Sequence, residues 1–589
     1  MVSIDIVVRS HYIGATSYLL LHVFNIFRDG LDLRARESSG KHNQQEQENW
    51  SSHIVFTQTS NIILSFVILN DNSPARTQRI INKESKISAG PLGIWLERAI
   101  VGALFLFVIA APVSIAGAQI AWSAGLLFWI LRFAVWPRPQ LHRTPLDYAM
   151  FGFFILTGIS SFLSYEPTVS IGKLRAAMLF TIVYLFAENL RSARLLRGLV
   201  FLLLASCIAS TLFTFGNYAV GRGVKVYNVR SDSPLTAARF VTRAKNDPAP
   251  ILSGDTIEEI DGRRVWTAEQ LVATLDQSSS AKPAEIRIYR VEWNPVFQLP
   301  RGHLLPGATP EERLGIAAWT RGRDWRATGF FNHWTTYSEA LQLLGSLTFG
   351  LLVALPRKRT KWGSILTLAM MAICAALILT VVRASWLALL TSAILIAILG
   401  LRWRSLVVIG ACALPLVLVG FFVLHQKRNV GFFDRNDDSI RWRQTVQREG
   451  FHLLTSSPRH LLVGVGMDSI KAHWREWCLF DNGRLPMGHM HSDYLQIALE
   501  RGVPALVAWL ILMVLYARML WRLRRRISVD DWIEKGIVLG ALGGLVGFMI
   551  SGLVHYNWGD SEVVMIFYLI MGLSLVVDRF SQQRAGTVN

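Results

Sequence analysis

Residues 357–404 read RKRTKWGSILTLAMMAICAALILTVVRASWLALLTSAILIAILGLRWR, and this stretch decides the fold. Its two apolar runs, 363–382 and 384–400, approach the roughly 20 residues that a membrane-spanning helix requires. Basic residues stand before the first run and after the second, whereas Arg383 lies between them. Because cytoplasmic loops collect Lys and Arg, the pattern predicts a helical hairpin with both free ends in the cytoplasm and Arg383 on the opposite side.

The rest of the chain repeats this alternation. We predict twelve spans, near 99–115, 117–135, 146–164, 168–187, 195–216, 335–355, 363–382, 384–400, 405–424, 503–520, 535–555 and 561–577. Every second connection is basic, with Arg138 and Arg143, Arg191 to Arg197, Arg357 to Lys361, Arg402 and Arg404, Arg518 to Arg526, and Arg579 and Arg584. The agreement of six loops predicts an all-α polytopic membrane protein with about 12 transmembrane helices and cytoplasmic termini.

Composition supports the same fold class. The chain has 589 residues, a net charge of +19, 52% hydrophobic residues and only 17% charged residues, whereas soluble domains carry about 25% charged residues. The positive charge lies in short loops between apolar runs, so it is explained without nucleic acid. Three of the four cysteines (Cys207, Cys374, Cys412) fall in predicted spans and only Cys478 in a long loop, which excludes a disulfide within that loop and a zinc site built on cysteine.

The spans divide the chain into segments. Residues 1–92 are predicted to be a cytoplasmic leader, loosely ordered or the product of a start codon placed too early. Spans 1–5 occupy 93–216, spans 6–9 occupy 335–424, spans 10–12 occupy 503–580, and a cytoplasmic tail covers 581–589. Two long extracytoplasmic loops, 217–334 and 425–502, hold most of the polar chemistry and are expected to carry function.

The second loop contains an amphipathic helix pattern. Ile440–Leu454 (IRWRQTVQREGFHLL) places Trp442 and Phe451 among arginines. This suits either an interfacial helix that touches lipid headgroups or a solvated loop helix.

The first loop contains a small α+β domain by its pattern. Residues 252–262 (LSGDTIEEIDG) predict a strand that turns at Asp261-Gly262, and Thr267 is placed to cap a helix over Ala268–Leu275. Glu285–Val291 alternates as a strand. Together with the glycine-bearing Gly221 to Val224, this order resembles a PDZ domain over about 221–300. The resemblance implies capture of a peptide or protein partner by strand addition; a purely structural insertion is the alternative.

Three polar clusters are predicted on the side away from the basic loops. They are Trp325–His333 (WRATGFFNH), Arg383–Trp386 (RASW) and Gly488–Gly502 (GHMHSDYLQIALERG). A cation as close to hydrocarbon as Arg383 is costly and usually has an anionic partner, which favours function over a snorkelling side chain. Arginines bind phosphate in a fork geometry, and a histidine can accept a proton near neutral pH.

In their order and shared side, these clusters resemble those of the O-antigen ligase and O-antigen polymerase superfamily of bacterial envelope glycosyltransferases. The matching features are R-x-x-G-F-F from Arg326, R-x-x-W from Arg383, and H-x-H-[NS]-x-x-L-x-x-x-x-E-x-G from His489. Asp438-Ser439-Ile440-Arg441, which leads to Pro458 and Gly464-Val465-Gly466, is a further match. Ser492 stands where asparagine is commoner. The resemblance covers about 95–577 apart from the PDZ-like insertion and implies a GT-C-like fold.

The resemblance implies an inverting transfer of a glycan from undecaprenyl pyrophosphate to an acceptor hydroxyl at the periplasmic face of the bacterial inner membrane. Arg326 and Arg383 would hold the pyrophosphate, and His491, or else His489, would activate the acceptor. Arg441 would order the second loop or contact phosphate, and Asp560, in the last outer turn with His555, is a further candidate for substrate binding. Arginine charge would replace a metal ion, so no metal or other cofactor is expected.

The acceptor stays open at this level. Lipid A–core would make the protein a ligase in lipopolysaccharide biosynthesis, a growing glycan would make it an O-antigen or exopolysaccharide polymerase, and a protein hydroxyl would make it a protein O-oligosaccharyltransferase. A lipid-glycan transporter is the alternative outside the enzymes, although the sequence shows no convincing internal repeat. Membrane lipids are expected partners in every case.

Overall fold

A computed structural model describes residues 90–241, 246–248, 250–276, 282–290, 294–402, 415, 418–426, 438–485, 487–528 and 530–586. The predicted leader lies outside these residues up to residue 89, and so does most of the predicted ninth span, 405–424.

The described chain is mainly helical. Its helices are α1 Pro91–Ala110, α2 Ile115–Phe133, α3 Asp147–Phe162, α4 Pro167–Ala177, α5 Thr181–Asn189, α6 Ala193–Val220, α7 Ala268–Leu275, α8 Pro310–Leu314, α9 Trp334–Ala354, α10 Lys361–Leu379, α11 Arg383–Gly400, α12 Asp438–Thr455, α13 Pro458–Leu462, α14 Ile470–His473, α15 Asp493–Arg501, α16 Val503–Arg526, α17 Trp532–Ser551 and α18 Ser561–Gly586. A 3₁₀ turn, Met178–Phe180, joins α4 to α5.

Ten helical segments among the described residues are long and apolar enough to cross a membrane, with α4 and α5 together forming one of them. Each coincides with a predicted span. The predicted third span is α3, which has only 16 residues and is shorter than a perpendicular crossing requires. The described residues therefore support a polytopic membrane protein and do not establish twelve spans.

Several helices begin where a short polar side chain precedes an apolar run. The hydroxyls of Ser114, Ser192 and Thr360 accept hydrogen bonds from backbone N–H groups in the first turns of α2, α6 and α10. Such capping satisfies amides that have no partner within the helix. The starts of these three helices are therefore fixed by local hydrogen bonds to a Ser or Thr hydroxyl.

Helices α9, α17 and α18 form the centre of the bundle and are mostly buried. A Cβ atom added at Gly350 of α9 would lie 2.4 Å from the backbone nitrogen of Gly540 in α17. Glycines let two membrane helices approach to backbone contact, where packing is densest. The peripheral helices instead expose large apolar side chains, such as Leu127, Leu368 and Val514, as a lipid-facing surface would.

The insertion between α6 and α9 is an antiparallel sheet with a hydrophobic core of its own. Its strands are β1 Arg222–Val229, β2 Arg239–Val241, β3 Asn246–Pro248, β4 Thr256–Ile260, β5 Arg263–Arg264, β6 Ala284–Tyr289, β7 Val296–Leu299 and β8 Ile316–Gly322. The order is β3-β2-β7-β6-β4-β1-β8, with β5 paired to β4. The domain therefore extends to residue 322 and not only to about 300.

Local predictions within this domain are confirmed, whereas its likeness to a PDZ domain is not. Asp261 and Gly262 have φ angles of 50° and 73° at the turn between β4 and β5, and Thr267 caps α7. Gly221 to Val224, in contrast, do not form an open loop. They end α6 and begin β1, which is paired with β4 on one side and β8 on the other.

The segment before α16 is compact and helical. It contains α12, which confirms the predicted helix over Ile440–Leu454, then α13, α14 and a left-handed turn over Leu479–Gly483. Gly502, with φ of 86°, separates α15 from α16, and a Cβ there would lie 2.4 Å from the carbonyl oxygen of Leu462. The glycine of the E-x-G motif is therefore required by close backbone approach.

Candidate active site at one end of the helical bundle

The ends of five helices meet where α6 finishes and α9 begins, and we call this the site end of the bundle. The N-termini of α9, α11 and α18 and the C-termini of α10 and α17 lie there. Ser385 of α11 and Ser551 of α17 both donate hydrogen bonds to Glu339 of α9, and Thr336 of α9 donates to Asp560 just before α18. Side chains that are far apart in the chain therefore converge at the site end.

A cavity of about 380 Å³ opens there. Its lining residues are Arg326, Trp334, Thr335, Val381, Val382, Arg383, Ala384, Leu387, Ser439, Ile440, Arg443, Gln444, Gln447, Val554 and His555. Both arginines predicted to hold phosphate, Arg326 and Arg383, thus share one cavity. Arg443 adds a third guanidinium and His555 an imidazole.

Arg326 holds the turn that carries Arg383. Its Nε donates to the carbonyl of Thr380 at 2.7 Å and its Nη2 to that of Val381 at 2.8 Å. Val381 has a φ of 55°, a costly backbone conformation for a β-branched residue. Arg326 is buried, with its guanidinium 4.7 Å from the centre of the Trp334 ring. Arg326 therefore stabilises the turn before α11 in addition to lining the cavity.

Arg383 is the first residue of α11. The first N–H groups of a helix lack intrahelical partners and carry a partial positive charge, which favours a bound anion. At this position the guanidinium and the helix end act on the same cavity with the same sign of charge. The arrangement is suited to a phosphate or pyrophosphate group.

Helix α12 presents Arg443, and not Arg441, to the cavity. Ile440, Arg443, Gln444 and Gln447 follow the i, i+3, i+4, i+7 spacing of one helical face, and all four line the cavity. Arg441 is exposed and is absent from the described lining. Arg443 is therefore a candidate that motif reasoning passed over, although helical spacing could have found it.

His489 and His491 lie together before α15. Their ring centres are 4.1 Å apart, and the backbone N–H of His491 donates to Nδ1 of His489 at 3.2 Å. Gln447 donates from Nε2 to the carbonyl of His491 at 3.0 Å, which links the pair to the cavity wall. His491 has a φ of 49°, a strained conformation of the kind that clusters at functional sites.

Burial is the main cause of low basicity in both histidines. It lowers the pKa of His489 to about 4, with help from the nearby His555 and His333. It lowers the pKa of His491 to about 2, with further contributions from His489 and Arg443. Both imidazoles are therefore neutral at pH 7. Neutral rings can accept a proton, but groups with such low pKa values retain it weakly.

Two carboxyl groups flank the site. Asp560 accepts a hydrogen bond from the Thr336 hydroxyl at 2.8 Å, and burial raises the pKa of Asp560 to about 7. Asp493, the first residue of α15, is fully buried, which raises its pKa well above the usual range. Its Oδ1 accepts from the backbone N–H of Trp558 at 2.9 Å. Asp560 does not line the cavity among the described residues and stays a predicted site residue.

A buried carboxylate behind the cavity was not predicted. Glu339 is fully buried in α9 and lies 2.8 Å from Nδ1 of His555, measured from its Oε1. The signal in the sequence was an acidic residue inside a predicted span, which is uncommon and usually functional. Glu339 lies in the second turn of α9.

Residues 366–510 match the family model described as O-antigen ligase. The match runs from within α10 into α16 and includes Arg383, Arg443, His489 and His491. No curated protein matches the chain. The family match supports a membrane glycosyltransferase of the O-antigen ligase or polymerase type. Arg326, Glu339 and His555 lie outside the matched residues.

Proposed function

We propose that this protein is an O-antigen ligase-like inverting glycosyltransferase, which moves a glycan from undecaprenyl pyrophosphate to an acceptor hydroxyl. The observation that carries the proposal is the meeting of Arg326, Arg383 and Arg443 around one cavity at the site end. Three arginines at one cavity supply positive charge that suits a pyrophosphate, and guanidinium groups can bind phosphate oxygens in a fork geometry. The family match to O-antigen ligase favours lipid A–core as the acceptor.

The distribution of basic residues suggests how the protein is oriented in the membrane. The opposite ends of the helices carry the basic residues, such as Arg524, Arg525 and Arg526 in the last turn of α16. Because such residues stay in the cytoplasm, the site end would face the periplasm from the inner membrane. A lipid-linked donor would reach the cavity with its pyrophosphate at headgroup level and its glycan in water.

The reaction would be a single displacement. The acceptor oxygen attacks the anomeric carbon as the bond from that carbon to the pyrophosphate oxygen breaks, and the electron pair leaves with the pyrophosphate. An imidazole takes the acceptor's proton; the resemblance assigns this step to His491, or else to His489. The arginines stabilise the charge that develops on the leaving group, which is the role a metal ion plays in other transferases. No cofactor is required for these steps.

The test has a cellular and a purified arm. Deletion of the gene should leave lipid A–core uncapped while polymerised glycan accumulates on its lipid carrier. The purified full chain should transfer glycan from a lipid-pyrophosphate donor to lipid A–core. Single repeat units in the deletion strain would instead indicate a polymerase, and loss of protein glycosylation a protein O-oligosaccharyltransferase. Donor accumulation on the cytoplasmic side without any transfer in the purified arm would indicate a transporter and overturn the proposal.

A further inference from the structure

Glu339 and His555 form a hydrogen-bonded carboxylate–imidazole pair in the wall of the arginine cavity. Nδ1 of His555 lies 2.8 Å from Oε1 of Glu339. His555 is itself 4% exposed and is one of the cavity's lining residues. With Nδ1 engaged by the carboxylate, Nε2 is the ring nitrogen available to a molecule in the cavity.

The carboxylate is held from several directions. Oε1 also accepts from the Ser385 hydroxyl at 2.8 Å, and Oε2 accepts from the Ser551 hydroxyl at 2.8 Å and from the Asn557 amide at 3.3 Å. Four donors on two oxygens are the coordination of an acceptor-only carboxylate. These contacts come from α11, α17 and the segment after it, so the orientation of Glu339 is fixed by three separate elements.

Such a pair has a defined chemical capacity. The carboxylate keeps the Nδ1 proton in place, so Nε2 presents a lone pair, and it stabilises the imidazolium that forms when Nε2 takes a proton. His489 and His491 have no comparable carboxylate among their described hydrogen-bond partners; the two rings contact each other, Trp442 and Tyr556. Of these three histidines, only His555 has a carboxylate among its described hydrogen-bond partners.

The surroundings of His555 carry both signs of charge. Arg326 precedes α9, Arg383 begins α11 and Arg443 lies on α12. His333, His489 and His491 are the neighbouring imidazoles. Asp493 interacts electrostatically with Glu339 and with Asp560. Asp560 also interacts electrostatically with Glu339. The arginines thus place positive charge around the cavity, and Glu339 places a carboxylate in direct contact with His555.

We propose that His555 is the general base that receives the proton of the acceptor hydroxyl, with Glu339 as its positioning residue. The inference rests on the proposed glycan transfer and deepens it. The acceptor O–H bond breaks as its oxygen bonds to the anomeric carbon, the proton moves to Nε2 of His555, and the electron pair of the broken glycosyl–phosphate bond leaves with the pyrophosphate beside the arginines. His491 and His489 then serve as neutral groups that orient the acceptor.

The test uses the full-length protein in detergent or liposomes with a lipid-pyrophosphate glycan donor and lipid A–core. His555→Ala should lower the transfer rate about 10²–10⁴-fold, and added imidazole should restore part of the lost rate. Glu339→Gln should lower the rate and move the acidic limb of the pH–rate profile to lower pH, because loss of the carboxylate makes the base weaker. A purely structural role for either residue would give neither imidazole rescue nor a shifted limb.

Two controls keep the outcomes separate. His452→Gln alters an exposed histidine of α12 and should leave the rate and the profile unchanged. If His555→Ala fails to fold, His555→Gln with a measured melting temperature replaces it. Normal transfer by a folded His555 variant would overturn this inference and leave the proposed function intact. Absence of transfer by the unmodified protein would instead count against the proposed function.

Discussion

Arg326 donates a hydrogen bond to the backbone carbonyl of Val381 at 2.8 Å, across 55 positions of sequence. Val381 is the strained residue of the turn that presents Arg383. One predicted phosphate-binding residue thereby controls the placement of the other. A mutation at Arg326 will consequently report on the turn as well as on donor binding, and its effects must be separated from those of Arg383.

Replacement of Arg326 by alanine should reduce both stability and transfer. Two buried carbonyls would lose their donor, at a cost of about 1–3 kcal/mol each, and the turn would lose its clamp. Thermal unfolding in detergent and the transfer assay measure the two effects. Arg323→Ala is the matched control, because Arg323 is exposed and donates only to Ala219 among its described contacts. An unchanged melting temperature of the Arg326→Ala protein would contradict the stabilisation of the turn by Arg326.

Replacement of Arg383 by alanine should abolish transfer with little change in melting temperature. In the proposed reaction this side chain stabilises the charge on the leaving group, and loss of one such donor typically costs about 10²–10³ in rate. Arg402→Ala removes a charge just beyond the opposite end of α11 and should leave transfer intact. If Arg383→Ala and Arg402→Ala lowered transfer equally, the loss would come from the total charge of α11 and not from the position of Arg383 at the cavity.

Replacement of His491 by alanine should lower transfer by a factor that is constant between pH 6 and pH 8. The reason is that burial lowers the pKa of His491 to about 2 and that of His489 to about 4, so neither ring titrates in that interval. The pH–rate profiles of the variant and the unmodified protein, measured side by side, test this. Loss of an acidic limb near pH 6 in the His491 variant would show that His491 itself titrates there.

Low pH should also destabilise the fold through the same two histidines. Their pKa values lie below the unfolded value of about 6.5, so the unfolded chain binds protons more readily than the native one. Their contribution to stability is complete above pH 6.5 and falls as the pH drops toward 4. His489→Gln should therefore lessen the decline in melting temperature between pH 6.5 and pH 4, and an unaltered decline would contradict the assignment.

Removal of residues 222–322 with a short Gly/Ser bridge should preserve transfer. Arg222 and Gly322 are direct partners in the β1–β8 ladder, so their neighbours Gly221 and Arg323 are close enough to be joined. Removal of 221–300 alone would leave β8 without β1 and should reduce expression. If the longer deletion folds but loses transfer, the insertion takes part in donor or acceptor binding.

Transfer should persist in EDTA. Arg326, Arg383 and Arg443 supply positive charge at the cavity without a metal ion. The measurement is the initial rate with purified protein before and after chelation. An activity that chelation removes and a divalent ion restores would rule out the arginine-based mechanism.

Much of the fold could be predicted because hydropathy and loop charge are local properties. Ten predicted spans coincide with helices, and the cap at Thr267 and the turn at Asp261-Gly262 depend on a few adjacent residues. The extent of the inserted domain was harder to predict, because β8 joins β1 from almost a hundred residues away.

The site was predicted in outline and not in detail. Motif order indicated Arg326 and Arg383, which share the cavity. Helical spacing places Arg443, and not Arg441, on the same face of α12 as Ile440 and Gln447, but only the tertiary structure shows that this face lines the cavity. The network around Glu339 joins residues more than two hundred positions apart, so only tertiary structure reveals that this carboxylate and His555 are neighbours.

The glycine contact between α9 and α17 has a mechanical consequence. Gly350 and Gly540 bring the two backbones so close that even a methyl group would wedge them apart. Sliding or tilting of one helix against the other would cause steric clashes, so we expect the two helices to behave as one rigid unit. Glu339 and Ser551, which lie on α9 and α17 respectively, are thereby held at a fixed relative position, which the proposed transfer from a bulky lipid-linked donor would require.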